Sequence, residues 1–392
     1  MPRQDRPSFP PPVLVTDSAD LAALCERLAS EPMVTVDTEF MRERTYWPEL
    51  CVVQLGGSAE TAVVDALAPG LDLAPLGALL ANPNVTKVFH AARQDIEIFV
   101  LKFGAVPTPL VDTQVAAMVA GFGDQVGYDT LVASLTGGQI DKSHRFSDWS
   151  ARPLSQAQIA YAAADVTHLR LVYEKLTARL ARDGRLDWVG EEMATLTDPA
   201  TYRVDPERMW ERLRARTNNR RMLGMLRAIA AWREQEAQRA NIPRGRMLKD
   251  ESLLELAATA PSDAIGLARV RGISKGFADG KQGASLLAAM AAARALPESA
   301  LPSPTADRQG PRPSPALVAL LKVLLAASCE EHDVAPRLVA SSDDLDRIAV
   351  GAADVPALAG WRQRIFGEQA LALRDGKLAL GVAGKRIKTI PL

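Results

Sequence analysis

A chain of 392 residues is too long for one ordinary core, and two or three domains are expected. Hydrophobic residues at 47% and charged residues at 24% are ordinary values for a globular protein, and no run of about 18 apolar residues marks a membrane span. The net charge of -1 hides an asymmetry: residues 1–200 carry 16 Lys/Arg against 26 Asp/Glu, whereas residues 201–392 carry 30 against 21. An acidic half binds a polyanion when cations mask its carboxylates, and a separate basic surface helps to recruit that polyanion. Cys25, Cys51 and Cys329 are odd in number and widely separated, which suggests neither a disulfide framework nor a zinc site. Met1 to Pro7 lead into prolines instead of an apolar segment, so a cytoplasmic, non-exported protein is expected.

In chain order, apolar periodicity predicts a helix over residues 18–30, then β-branched runs predict strands over 33–40, 51–55 and 61–65. A helix over 73–81, a strand over 86–90 and a helix over 93–103 follow. This order implies an α/β domain, a mixed sheet with helices packed on it. A long helix over 155–181 starts from Ser155 as its N-cap. Beyond residue 200 the strand signal nearly disappears. A helix is expected over 210–240, Asp250 is expected to cap another starting at Glu251, and Pro261 restarts the chain before glycine-punctuated helical pieces.

The basic residues concentrate between 208 and 249: Arg208, Arg212, Arg214, Arg216, Arg220, Arg221, Arg227, Arg233, Arg239, Arg244, Arg246 and Lys249, against Glu211, Glu234 and Glu236. A solvated arginine-rich helix face is the alternative to a polyanion-binding surface. Six prolines between 297 and 315 read as a linker. A third domain built from helices over 317–329, 335–340, 342–349 and 361–372 then follows. The expected division is 1–200, 201–296, the linker 297–315, and 316–392.

Chemistry concentrates at three points of the first half. Asp37 and Glu39 lie two apart on a predicted strand and share a face. Asp95 follows the strand ending at His90, and Tyr161 and Asp165 lie four apart on the long helix, again on one face. Carboxylates side by side repel unless a cation lies between them. Hard cations such as Mg²⁺ and Mn²⁺ take oxygen ligands, and four carboxylates from three segments suit two such ions. Each acid also has a plainer reading: solvated strand ends for Asp37 and Glu39, a helix-dipole partner for Asp95, a surface acid beside Arg170 for Asp165.

The order Asp-x-Glu, Asp, Tyr-x-x-x-Asp resembles the DEDDy group of 3′ to 5′ exonucleases. The strings Asp37-Thr38-Glu39-Phe40-Met41-Arg42-Glu43, Val88-Phe89-His90-Ala91-Ala92-Arg93-Gln94-Asp95 and Ser147-Asp148-Trp149-Ser150-Ala151-Arg152-Pro153-Leu154 resemble ribonuclease D, over roughly residues 13–190. The text Leu226 to Glu234, Asn241-Ile242-Pro243-Arg244, Leu248-Lys249-Asp250 and Leu253-Leu254-Glu255-Leu256 is similar to a helicase and RNase D C-terminal (HRDC) domain. The resemblance implies a ribonuclease H-like exonuclease domain followed by two small all-α HRDC-type domains, the second by analogy alone. It also implies a metal-dependent exoribonuclease that releases nucleoside 5′-monophosphates and trims tRNA precursors and other small structured RNAs. Asp37, Glu39, Asp95 and Asp165 would hold two divalent cations, with Tyr161 aligning the attacking water, since a phenol with a pKa near 10 is a poor base. Phe40 and Met41 are expected on the terminal nucleotide and His90 beside it. Arg145, Trp149 and Arg152 offer charge and a stacking surface for single-stranded nucleic acid; Trp149 reads equally well as a structural residue. His144 and His168 read as structural groups. No motif reports on the 2′-OH, so a DNA exonuclease is an alternative, as is a binding protein whose nuclease fold has lost activity.

Overall fold

A computed structural model describes residues 10–213, 215–303 and 312–392. The segment Met1 to Pro7, Arg214, and the linker residues Pro304 and Pro311 lie outside the described residues. Of those described, residues within Met1–Phe40, Leu50–Tyr202 and Pro311–Leu392 pack as one unit, and those within Met41–Glu49 and Arg203–Gly310 as a second. No helix among the described residues is long and apolar enough to cross a membrane.

The first unit is built on six strands: β1 (Val13–Val15), β2 (Met33–Met41), β3 (Glu49–Gly56), β4 (Thr61–Asp65), β5 (Thr86–Phe89) and β6 (Leu110–Asp112). Their order across the sheet is β1-β4-β3-β2-β5-β6. The sheet is mixed, as expected: β1 runs parallel to β4, β5 runs parallel to β2 and β6, and β3 is antiparallel to β4. The four predicted strands are present. Strands β1 and β6 were absent from the prediction because three residues are too few to show a period. Interior strand β2 has neighbours on both sides, and Val34, Thr35 and Val36 are all buried, which a strand covered on both faces requires.

The helices follow from their caps and apolar spacing. In α1 (Ser18–Leu28) the Asp17 carboxylate accepts the Ala19 and Asp20 N–H groups at 3.0 Å, and Leu21, Leu24, Cys25 and Leu28 form the buried face. Next come α2 (Ala74–Ala81), α3 (Arg93–Phe103), α4 (Thr113–Val119) and α5 (Tyr128–Thr136). Helix α6 (Gln156–Arg182) starts from the predicted Ser155, whose hydroxyl and backbone form a capping box with Gln158. Helix α7 (Leu186–Thr197) follows.

In the second unit, the helix expected over 210–240 begins ten residues later. Pro206–Arg212 form a 3₁₀ turn, and Asn219 caps α8 (Arg220–Ala240) by accepting the Arg221 and Met222 N–H groups. Short α9 (Arg244–Met247) precedes α10 (Asp250–Thr259), and Asp250 is not its cap: Lys249 holds that position, while the Asp250 carboxylate accepts from the buried Arg233 at 2.7 Å. Helices α11 (Ala264–Leu267), α12 (Lys275–Ala278) and α13 (Lys281–Arg294) complete a core around Leu226, Ile229, Leu253, Leu256 and Leu286.

Residues 41–49 are built into this same unit. The Tyr46 hydroxyl bonds to Glu234 and accepts from Gln238 at 3.0 Å, and Asn241 Oδ1 accepts the backbone N–H groups of Tyr46 and Trp47 at 3.1 and 3.0 Å.

The chain then returns to the first unit. Helices α14 (Pro315–His332), α15 (Pro336–Val339) and α16 (Ser342–Ala349) surround Trp361 and Phe366, both wholly buried. The Trp361 ring stacks on Trp188 at 4.6 Å, its indole N–H donates to Glu192 at 2.9 Å, and Arg362 pairs with Glu192 at 2.6 Å. This region is not all-α. Residues Leu378–Ala383 and Arg386–Pro391 form an antiparallel hairpin, β7 and β8, around a turn in which Gly384 takes φ +64°. Ile387, Thr389 and Ile390, β-branched residues that favour strand, are the signal in Arg386–Pro391 that the helical reading passed over.

Candidate active site

Asp37 and Glu39 lie near the C-terminal end of β2, Asp95 in the first turn of α3, and Tyr161 and Asp165 one turn apart on α6. Asp95 is buried and the other four are half-buried. The C-terminal ends of parallel strands are where α/β sheets present their ligand sites.

Side-chain and backbone contacts fix these three elements to one another. The Thr35 hydroxyl on β2 donates to Val166 O on α6 at 2.8 Å. Gly56 on β3 permits this approach, because a Cβ there would collide with Thr35 Oγ1 and lie 3.3 Å from Val166 O. The Tyr128 hydroxyl donates to Asp165 O at 2.7 Å, holding the α6 backbone at the acid itself. Asp95 is delivered by a turn in which Ala91 takes φ +59°, a left-handed conformation unfavourable for alanine. The buried Asp112 carboxylate holds that turn by accepting the Ala91 and Ala92 N–H groups, both at 2.9 Å.

The acids act on one another. Burial, then the Asp165 charge, holds Asp37 well above the usual carboxylate range. Glu39 is pushed up to about 9, first by burial and then by Asp37, Asp165 and Asp95, with Arg145 opposing. Asp95 is raised by burial and by Asp37, opposed by the Thr38 hydroxyl that donates to its Oδ1 at 2.5 Å. Burial raises Asp165 to about 7. Burial, with the Asp165, Glu39 and Asp37 charges, also raises the Tyr161 phenol above its ordinary value of 10. Among the described residues no three Asp, Glu, His or Cys groups stand in an arrangement that could hold a metal ion. The four acids offer an oxygen-only donor set, the kind that suits a hard divalent cation.

Around this group the remaining predicted residues divide. Phe40 packs partly against the core, and Met41 is half-buried at the strand end. His90 Nδ1 lies 3.0 Å from Thr113 Oγ1, its ring is 5.3 Å from Tyr128, and burial lowers its pKa so that it stays neutral. Arg145 is exposed. Trp149 is 2% exposed and its ring packs against Tyr161 at 5.9 Å, so it has no face open to a base. Arg152 is equally committed: it pairs with Asp65 through two bonds of 2.8 and 2.6 Å and donates to the carbonyls of Trp149, Ala151 and Cys51. Both are corrections to the expected substrate contacts, and both brace the loop beside Tyr161. His144 belongs to that loop, its ring edge-on to Tyr161 at 6.3 Å. His168 rests on α6 with Nδ1 3.2 Å from Ala164 O.

Asp112 and Tyr128 escaped the sequence reading. An Asp before a helix is a cap signal, and Asp112 does cap α4 by accepting Gln114 N–H at 2.8 Å. Its hold on the Ala91 turn, 20 residues away, leaves no local trace.

Residues 12–181 match the model of the 3′-5′ exonuclease domain, and residues 222–290 match the HRDC domain. The chain is 69% identical over 392 residues to a ribonuclease D of Gluconacetobacter diazotrophicus, covering all of both chains. It is 70% identical to one of Granulibacter bethesdensis, covering 100% of this chain and 99% of that one. The chain belongs to the ribonuclease D family. A solved family structure, RNase D of Escherichia coli, "an exoribonuclease involved in structured RNA processing", superposes with a TM-score of 0.79 at 29% identity, covering 94% of this chain and 99% of that one. As a family member the chain is a 3′-5′ exoribonuclease, and its fold implies dependence on a divalent metal.

Proposed function

We propose that Asp37, Glu39, Asp95 and Asp165 hold two divalent cations, Mg²⁺ or Mn²⁺, in an exoribonuclease that releases nucleoside 5′-monophosphates one at a time. The observation that carries this is four carboxylates brought from three elements that the Thr35–Val166, Tyr128–Asp165 and Asp112–Ala91 contacts tie together, each acid raised by burial or by its neighbours. When bound, two such ions activate the attacking water and stabilise the leaving oxygen of an in-line phosphoryl displacement. Glu39, raised to about 9, would give up a proton to bind the ions, so their uptake is expected to release protons near neutral pH.

Tyr161 stays a phenol, because burial and the neighbouring acids push its titration further from neutrality. It therefore orients the attacking water as a hydrogen-bond partner and does not abstract its proton. Ring contacts with Trp149 and His144 keep its ring in place. Phe40 and Met41 pack on the terminal nucleotide, with His90 at the border and Arg145 facing the phosphates.

The body of the RNA is gripped by the second unit, through fewer residues than its composition suggests. Arg208, Arg220, Arg221, Arg227, Arg233, Arg239 and Arg244 are tied to carboxylates or carbonyls within the unit. Arg212, Arg216, Arg246 and Lys249 are exposed and carry the contact with RNA phosphates. Precursors of tRNA and other small structured RNAs are the substrates, supported by the likeness to the Escherichia coli exoribonuclease. The cytoplasm, where such RNAs mature, is the site of action. The division into 1–200, 201–296, 297–315 and 316–392, with a second HRDC-like module last, rests on the family resemblance.

A gel time course with a 3′-extended tRNA labelled at its 5′ end tests the reading, with Mg²⁺, Mn²⁺ or chelator, beside single-stranded DNA. A metal-dependent ladder shortening from the RNA 3′ end is expected. No shortening, or faster loss of the DNA, would overturn it.

A further inference from the structure

Phe146 is 91% exposed, more than any other large hydrophobic side chain among the described residues. Leaving a phenyl ring in water forgoes the burial that normally stabilises such a side chain. Its exposure rules out a core role, yet His144 and Trp149 on the same loop pack against Tyr161 and Arg145 lends its charge there. The His144 ring meets Tyr161 edge-on at 6.3 Å, the Arg145 charge acts on Glu39 and Tyr161, and Trp149 is packed against Tyr161 at 5.9 Å. The Arg145 guanidinium lies over the Phe146 ring, 5.4 Å from its centroid.

We propose that Phe146, backed by Arg145, is a stacking subsite for a nucleobase of the single-stranded RNA tail, upstream of the nucleotide being removed. The proposal rests on the exoribonuclease reading. An aromatic face binds every base, which an enzyme that removes successive nucleotides of any sequence requires, and arginine adds phosphate pairing and a cation-π contact. The upstream position follows from exposure: the half-buried acids, Phe40 and Met41 enclose the terminal nucleotide, whereas a base on Phe146 lies outside that enclosure. Trp149, the aromatic residue singled out in the sequence, is too buried to take this part.

The experiment measures KM and kcat on single-stranded RNA with wild type, Phe146→Ala and Phe146→Trp. Base stacking on an aromatic side chain is worth ~1–3 kcal/mol, so Phe146→Ala is expected to raise KM by about 5-fold to 150-fold, with the larger share of the loss in KM. Phe146→Trp is expected to stay within about 3-fold of wild type, since any aromatic face serves. On a tail whose upstream nucleotides lack bases, wild type and Phe146→Ala should converge. Equal KM values on ordinary RNA, or a penalty that persists undiminished on the abasic tail, would overturn the proposal. Failure of the exoribonuclease reading shows separately, as a wild type that does not shorten RNA. In that event a 2-aminopurine placed in the tail decides: fluorescence quenched by wild type and not by Phe146→Ala supports stacking, and equal fluorescence overturns it.

Discussion

Glu234 and the acids around Asp37 are both withdrawn from solvent, and the molecule treats them in opposite ways. Glu234 is wholly buried, and burial alone would push its pKa up. Hydrogen bonds from Arg244 at 2.5 and 2.8 Å and from the Tyr46 hydroxyl, with the Arg244 and Arg233 charges, outweigh that and hold it below the ordinary value. Among Asp37, Glu39, Asp95 and Asp165 the Thr38 bond to Asp95 and the Arg145 charge near Glu39 do not outweigh burial and repulsion, and Glu39 is pushed up to about 9. A buried carboxylate with a structural task is satisfied by its partners. Four left mutually repelling support the proposal of a site whose partner comes from outside the chain.

The contrast makes predictions of opposite sign. Asp37→Asn removes one of the repelling acids, so activity on RNA should fall by about 10³-fold or more, while the melting temperature in chelator should not drop. A metal-dependent Asp37→Asn enzyme would contradict the assignment. Glu234→Ala should do the reverse for stability, costing about 3 kcal/mol in urea unfolding because Arg244 and Tyr46 lose their shared partner; a loss under 1 kcal/mol would mean the cluster is only surface pairing. Asp112→Ala should cost about 2 kcal/mol by leaving the Ala91 turn unsupported, with a loss of activity that Ala91→Gly in the same chain partly restores.

A further effect is spread over several pH units. Glu39 and Asp165 have folded values raised to about 9 and about 7 over ordinary values of 4.5 and 3.8. Their contribution to stability is therefore fully present below those ordinary values and is lost as pH rises through about 7 and then about 9. Melting curves in chelator should shift downward over that window. Mn²⁺ should restore the loss at pH 8 and do little at pH 5, where protons occupy the same oxygens; a flat profile in chelator would contradict the burial of these acids.

How much of this was legible in the sequence follows the range of the interactions. Strands with β-branched runs, and helices with a Ser155-type cap, are local and were readable. The pairing of Asp37 with Glu39 and of Tyr161 with Asp165 is set by the periods 2 and 4, so shared faces were legible too. What holds those faces together was not. Thr35, Gly56, Asp112 and Tyr128 act through contacts spanning 20 or more residues. For the same reason the sequence left Trp149 open between stacking and structure and offered Arg152 to the substrate: only packing reveals that Tyr161 and Asp65 have already claimed them. Phe146 is the converse, an aromatic in the same stretch that packing leaves bare.

The most direct test of the central claim is calorimetric titration of Mn²⁺ into the wild-type chain and into Glu39→Gln at pH 7, in two buffers of different ionisation heat. Two ions bound by wild type with release of protons, and weaker binding with fewer protons released by Glu39→Gln, are the predicted result. Binding of equal strength and equal proton release in both proteins would show that the acid cluster is not where the metal goes.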